Sequence, residues 1–129
     1  MIKIGMVNEK TAWVTRENTA EAMGSGTLPV FATPTMILLM EQTASECVAP
    51  YLQEGESSVG TSLNVKHTAP TLVGSEVRCR AELTEIDRSK LVFRVSVCDR
   101  TGEIGSGTHE RFIVKAEKFM AKAEERNIS

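Results

Sequence analysis

Two hydrophobic periods divide the chain. From Thr33 the residues Thr33-Pro34-Thr35-Met36-Ile37-Leu38-Leu39-Met40-Glu41 open a long apolar run that continues to Leu52 and stops near Gln53-Glu54-Gly55, which predicts one helix of about 18 residues. Thr33 is expected to cap it and Pro34 to occupy its first turn, because a threonine oxygen accepts from free N–H groups that proline does not supply. The first half is apolar nearly all round, whereas Gln42, Ser45, Glu46 and Glu54 bring polarity later, so other structure should wrap the N-terminal half. After Gly55 the period becomes two. Val77, Cys79, Ala81 and Leu83 alternate with charged residues, and Leu91, Phe93, Val95 and Val97 alternate with Val92, Arg94, Ser96 and Cys98. These are half-buried antiparallel strands, joined by hairpin turns at Asp87-Arg88-Ser89-Lys90 and Asp99-Arg100-Thr101-Gly102. An earlier strand, Val59 to His67, is expected to carry Val59, Thr61, Leu63, Val65 and His67 on one face. Residues 6–16 read as the first strand, residues 103–119 as the last, and 120–129 as a polar tail, frayed or briefly helical. Between residues 17 and 32 lies a connecting segment in which Gly24-Ser25-Gly26 supplies flexibility for a lid.

The order strand, long helix, four strands is that of an α+β hot-dog fold, an antiparallel sheet curled round one central helix, in a single domain over residues 1–129. One sheet on one helix leaves an edge strand and apolar surface open. Continuation of the sheet into a homodimer, with a dimer of dimers as a further step, would cover both.

Composition narrows the function. A chain of 129 residues can bury roughly two-thirds of its unfolded surface and fold without metal or disulfide staples. A formal charge of −2 with one Trp and one Tyr gives neither a basic face nor stacking platforms, so nucleic acid and anionic membrane are not expected partners. Cys47, Cys79 and Cys98 are odd in number and widely spaced, which suggests no disulfide framework and no zinc site and fits a reduced cytoplasm. The N-terminus has charges where a secretory leader needs an apolar core, and no apolar run approaches the ~20 residues of a bilayer span. A soluble, unprocessed protein is expected.

Against this background Thr33, Glu41 and His67 stand out as chemically competent side chains set in the most apolar stretches. A carboxylate and an imidazole that lose water have displaced pKa values, which prepares them for acid and base work near neutral pH. His67 can serve as a base toward water or a hydroxyl. Thr33, at a helix N-terminus, sits beside free N–H groups able to hold an oxyanion, and its hydroxyl adds a donor or a nucleophile. Its separation from Glu41, eight residues or ~12 Å along a helix, excludes direct contact between the two. Either substrate and His67 lie between them or a second subunit completes the site. Gly105-Ser106-Gly107 lacks the third glycine and following helix of a dinucleotide fingerprint, and His109 next to it reads as structural. No cluster has metal-ligand spacing.

Several segments resemble the fluoroacetyl-CoA thioesterase family of hot-dog enzymes over roughly residues 30–119: Val30-Phe31-Ala32-Thr33, Leu39-Met40-Glu41, Ala49-Pro50-Tyr51-Leu52, Gly60-Thr61, His67-Thr68-Ala69 and, most specifically, Gly105-Ser106-Gly107-Thr108-His109-Glu110-Arg111. The resemblance implies a catalytic Thr33, Glu41 and His67, an acyl pocket lined by Gly60, and an Arg111 that helps gate it. It implies a homodimer hydrolysing an acyl-CoA to free acid and CoA, with no metal or organic cofactor beyond the CoA of the substrate. Where the fluoroacetate-specific enzyme has an aromatic lid this chain has Gly26-Thr27-Leu28-Pro29, which argues against fluoroacetyl selectivity and for a general short-chain acyl group. Two alternatives remain. One is a non-catalytic acyl-CoA-binding or sensing dimer. The other is an enoyl-CoA hydratase, whose motif Asn64 fits but Ser62 and Val65 do not, standing where Asp and Pro are usual.

Overall fold

The computed structural model describes residues 1–128. Strand β1 (Val7–Trp13) leads through a 3-10 turn (Arg16–Asn18) and a short helix α1 (Ala20–Met23) to the long helix α2 (Thr33–Val48). A second 3-10 turn (Ala49–Tyr51) precedes β2 (Glu56–His67), β3 (Glu76–Asp87), β4 (Lys90–Asp99) and β5 (Gly102–Lys115), and α3 (Ala116–Asn127) closes the chain. The five strands form one antiparallel sheet in the order β1-β3-β4-β5-β2. This is the expected strand, helix, four-strand layout.

The core lies between α2 and the inner face of the sheet. Met36, Leu39, Met40, Thr43, Ala44, Cys47 and Val48 recur at three- and four-residue steps and are all buried, so they form one stripe down the helix. They pack on Val77, Cys79, Ala81 and Leu83 of β3 and on Leu91, Phe93, Val95 and Val97 of β4, each no more than 1% exposed. Thr43 keeps its hydroxyl satisfied in this apolar layer by donating to the Leu39 carbonyl at 2.6 Å. The alternation read from the sequence for Val77–Leu83 and Leu91–Val97 therefore holds residue for residue.

Several boundaries differ. Helix α2 ends at Val48 rather than Leu52, because Pro50 lacks the N–H that would continue the ladder and the chain tightens into a 3-10 turn. Ala32, not Thr33, occupies the cap position, with Thr33 and Pro34 already in the first turn. The last strand stops at Lys115; the Ala116 N–H bonds to the Gly55 carbonyl and the chain turns into α3, a run of strong helix formers that the sequence reading divided between strand and tail. The chain's last residue, Ser129, lies outside the described residues. Segment 17–32 is also more built than a plain connection: Thr19 caps α1 by accepting from the Ala22 N–H, Gly24 ends it in a left-handed conformation (φ +77°), and Thr19 and Val30 bridge to Phe31 and Leu72.

Strand β2 has a bulge between Gly60 and Ser62. Below it Leu63, Val65 and His67 lie opposite His109, Gly107 and Gly105; above it Gly60 lies opposite Arg111. The extra residue reverses the alternation. Gly60, not Val59 or Thr61, therefore shares the inner face with Leu63, Val65 and His67. β2 is also an edge strand with nothing paired on its outer side among the described residues. Leu38, on the first half of α2, stays 51% exposed rather than wrapped. Among the described residues no helix is long and apolar enough to cross a membrane.

Candidate active site

The N-terminus of α2 and the end of β2 meet. Ala32 arrives extended, its N–H bonded to the Asn18 carbonyl, and no side chain caps the helix. The first helical hydrogen bond runs from the Met36 N–H to the Ala32 carbonyl, so the amides of Thr33 and Thr35 precede the ladder, and Pro34 has none to offer. The Thr33 hydroxyl, released from capping, lies 2.8 Å from His67 Nδ1. His67 is the last residue of β2 and is held there by pairing with Gly105 and by the Thr68 N–H donating to the Ile104 carbonyl.

The imidazole is half-buried. Phe31, 2% exposed, packs edge-on against it with ring centroids 6.3 Å apart. Burial pushes the His67 imidazole below its ordinary value, and the nearby Ala69 backbone offsets part of that shift. The ring is therefore neutral at pH 7, with a nitrogen free to accept a proton. Nε2 is buried and has no hydrogen-bond partner among the described residues. A cleft of about 290 Å³ opens beside it, lined by Phe31, Thr33, His67, Ala69 and Pro70 among others.

Glu41 belongs to a different cluster. Two turns further along α2 its Oε2 lies 3.9 Å from Arg111 Nη1, with the carboxylate side chain 39% exposed and the arginine 8%. At that distance and exposure the ion pair is worth less than about 1 kcal/mol. Its orientation matters more. Arg111 is pinned to β2, donating from Nε to Ser58 Oγ and from Nη2 to the Ser58 carbonyl, both at 2.9 Å. Nη1 remains, lying 3.2 Å from His109 Nε2 and facing Glu41. Gly60 closes the cluster, for a Cβ there would meet Glu41 Oε2 at 2.6 Å and His109 Cε1 at 3.1 Å.

Of the residues singled out in the sequence, Thr33 joins His67, while Glu41 joins Gly60 and Arg111. The two groups do not touch within one chain: Gly60 and His67 are separated by roughly 20 Å of strand. Nor are all of them buried as expected. Thr33 is exposed and Glu41 half-buried, because α2 turns its apolar stripe, not this face, to the sheet. His109, read as structural, is fully buried inside the Glu41 group. One signal pointed to it: His109 and Arg111 are two apart on a strand and so share a face.

Comparison with known proteins shows which family the chain is similar to. A family profile described as fluoroacetyl-CoA-specific thioesterase matches residues 14–117. The fluoroacetyl-CoA thioesterase of Streptantibioticus cattleyicolor is 47% identical over 97 residues, 75% of this chain and 70% of that protein. A solved structure of the fluoroacetyl-CoA thioesterase FlK superposes with a TM-score of 0.91 at 37% identity, covering 99% of both chains. A hot-dog-like protein from Thermanaerovibrio acidaminovorans superposes equally well, TM-score 0.91 over 99% of this chain and 95% of its own, at 22% identity, which speaks to the fold alone.

Proposed function

The chain belongs to the fluoroacetyl-CoA-specific thioesterase family, and from that premise we propose that it hydrolyses a short-chain acyl-CoA thioester to the free acid and CoA. The observation that carries the proposal is the Thr33 hydroxyl 2.8 Å from the Nδ1 of a neutral, half-buried His67 beside an open cleft. With Nδ1–H donating to Thr33 Oγ1, the buried Nε2 is the bare base and the threonine keeps its own proton for the substrate. Nε2 takes a proton from water as its oxygen attacks the thioester carbonyl. The developing oxyanion is met by the Thr33 hydroxyl and the first-turn amides of α2, at the positive end of the helix dipole. Collapse breaks the C–S bond, and the proton on His67 passes to the departing CoA sulfur.

Glu41 enters as the carboxylate that orients the attacking water or attacks in its place, and a second protomer is what brings it there. Antiparallel pairing of two open β2 edges about an axis between Leu63 and Asn64 sets Gly60 of one protomer opposite His67 of the other. The Glu41, Gly60 and Arg111 group of each subunit then faces the Thr33 and His67 of its partner, giving two composite sites per homodimer. The same pairing removes the unpaired edge. The site uses no metal and no organic cofactor besides the CoA of the substrate. Gly26-Thr27-Leu28-Pro29 offers an aliphatic, exposed Leu28 where selectivity for fluorine would call for an aromatic lid, so the acyl preference is for short chains generally. The free buried Cys47 and Cys79 suit a reducing cytoplasm.

The experiment is release of free thiol from a panel running from acetyl- and fluoroacetyl-CoA to medium-chain and aromatic acyl-CoAs, with wild type and His67→Ala side by side. Turnover in wild type that His67→Ala removes is the expected result. A protein that binds panel members but releases no thiol is a binding module, and the hydrolase reading then falls.

A further inference from the structure

His109 is held in a way that fixes its protonation. Its Nδ1 lies 2.9 Å from the Ser62 carbonyl, which can only accept, so Nδ1 carries a hydrogen. Its Nε2 lies 3.2 Å from Arg111 Nη1, which can only donate, so Nε2 carries a lone pair. The ring is 0% exposed and lies tilted beside Phe93, centroids 6.4 Å apart, leaving it no third arrangement. The Ser62 carbonyl reaches Nδ1 because the bulge in β2 lies immediately before it.

We propose that His109 is a positioning residue for hydrolysis: as a neutral, Nδ1-protonated imidazole it holds the Arg111 guanidinium toward Glu41 and the Gly60 backbone, so that two histidines, not one, must be uncharged for turnover. Protonation would replace the Nε2 acceptor with a second donor and set an imidazolium against the guanidinium. Burial pushes the imidazole below its ordinary value and the Arg111 guanidinium adds to that shift, while the Ser62 carbonyl, Glu41 from α2 and Glu110 on its own strand oppose it. β2 presents the Ser62 carbonyl and β4 presents Phe93, neither of which titrates.

The inference rests on the hydrolase reading, and its test separates the two. His109→Gln places an amide oxygen where Nε2 was and can still accept from Arg111, whereas His109→Phe fills the space without an acceptor. The kcat/KM against pH is measured for both and for wild type on the best substrate of the acyl-CoA panel, with the fold followed by circular dichroism. His109→Gln is expected to stay within about tenfold of wild type at pH 7 and His109→Phe to lose about 100-fold, mostly in kcat. The acid limb of His109→Gln is expected to fall with a slope one unit shallower than that of wild type. Equal losses in the two variants, or an unchanged limb in His109→Gln, would overturn the proposal. Should His109→Phe not fold, ¹H–¹⁵N correlation spectra of the wild-type ring decide it: an Nε2–H tautomer or a charged ring at pH 7 overturns it. Wild type without thiol release sinks the hydrolase reading, while the spectra still report on the His109–Arg111 pair.

Discussion

The Glu41 carboxylate lies so close over Gly60 that a Cβ on residue 60 would meet Oε2 at 2.6 Å. The same Cβ would stand 3.1 Å from His109 Cε1 and 3.3 Å from Arg111 Nη1. The absent side chain is thus what lets three functional groups converge on one point of the strand. Gly60→Ala is expected to fold, because the atom in the worst contact is the free end of a flexible side chain. Its stability should change by no more than ~2 kcal/mol. Glu41 and Arg111 would have to move aside, and kcat/KM should fall about 10- to 100-fold. Thermal melts and steady-state kinetics on one preparation check both; unchanged kinetics would show that this cluster is not part of the reaction.

How much of this was legible beforehand follows from which interactions decide each feature. The alternation through Val77–Leu83 and Leu91–Val97 and the stripe from Met36 to Val48 are set by burial, whose period is written in the residue types. Thr33, Glu41 and His67 were visible because polar chemistry interrupts apolar runs. The bulge at Gly60 was not, since it depends on the fit of two strands distant in sequence and exchanges the faces of Val59 and Gly60. The capping error at Thr33 has a related cause: its hydroxyl had two possible partners, and a histidine 34 residues away outcompetes the local amides. His109 was undervalued because its meaning lies in a contact with Ser62 made possible by that same bulge.

The Thr33–His67 pair gives predictions for both the threonine and the histidine. Thr33→Val removes the oxyanion donor from an exposed position, so the fold should survive while kcat drops about 100- to 1,000-fold; Thr33→Ser, which keeps the hydroxyl, should lose far less. Since burial lowers the His67 imidazole, the midpoint of the acid fall in activity should lie below the 6.5 of an ordinary imidazole, with activity falling as the pH drops through it. Stability follows the same sign. Between the lowered folded values of His67 and His109 and their unfolded value of 6.5 the unfolded chain binds more protons, so stability present above pH 6.5 is lost as the pH falls. Urea midpoints measured from pH 7.5 to 5 should decline in wild type and decline less in His109→Gln. A midpoint rising toward pH 5 would contradict the burial of both rings.

Gly107 is where β5 receives the edge strand. A Cβ there would collide with the Asn64 carbonyl oxygen and stand 2.6 Å from Val65 Cα, and neither is a side-chain atom that can swing away. Gly107→Ala should therefore cost several kcal/mol or detach β2 from β5, in contrast to the mild Gly60→Ala. Since β2 carries both His67 and the proposed dimer edge, hydrogen exchange should quicken across Glu56–His67 and leave β3 and β4 protected. Uniform exchange across all strands would mean the edge has no separate stability.

The division of the site between two groups yields the most discriminating experiment. In a composite dimer, His67→Ala spoils the base in both sites of its own homodimer, and Glu41→Gln spoils the carboxylate in both sites of its own. Mixed by unfolding and refolding together, half of the dimers carry one chain of each kind. In these, one site collects both lesions and the other collects none, because the intact His67 of one chain faces the intact Glu41 of its partner. Recovery of roughly a quarter of wild-type activity from two inactive proteins is then expected. If both groups acted within a single protomer, every site in every mixture would keep one lesion and no activity would return. The roughly 20 Å of strand between Gly60 and His67 is why the proposed composite site expects the first outcome.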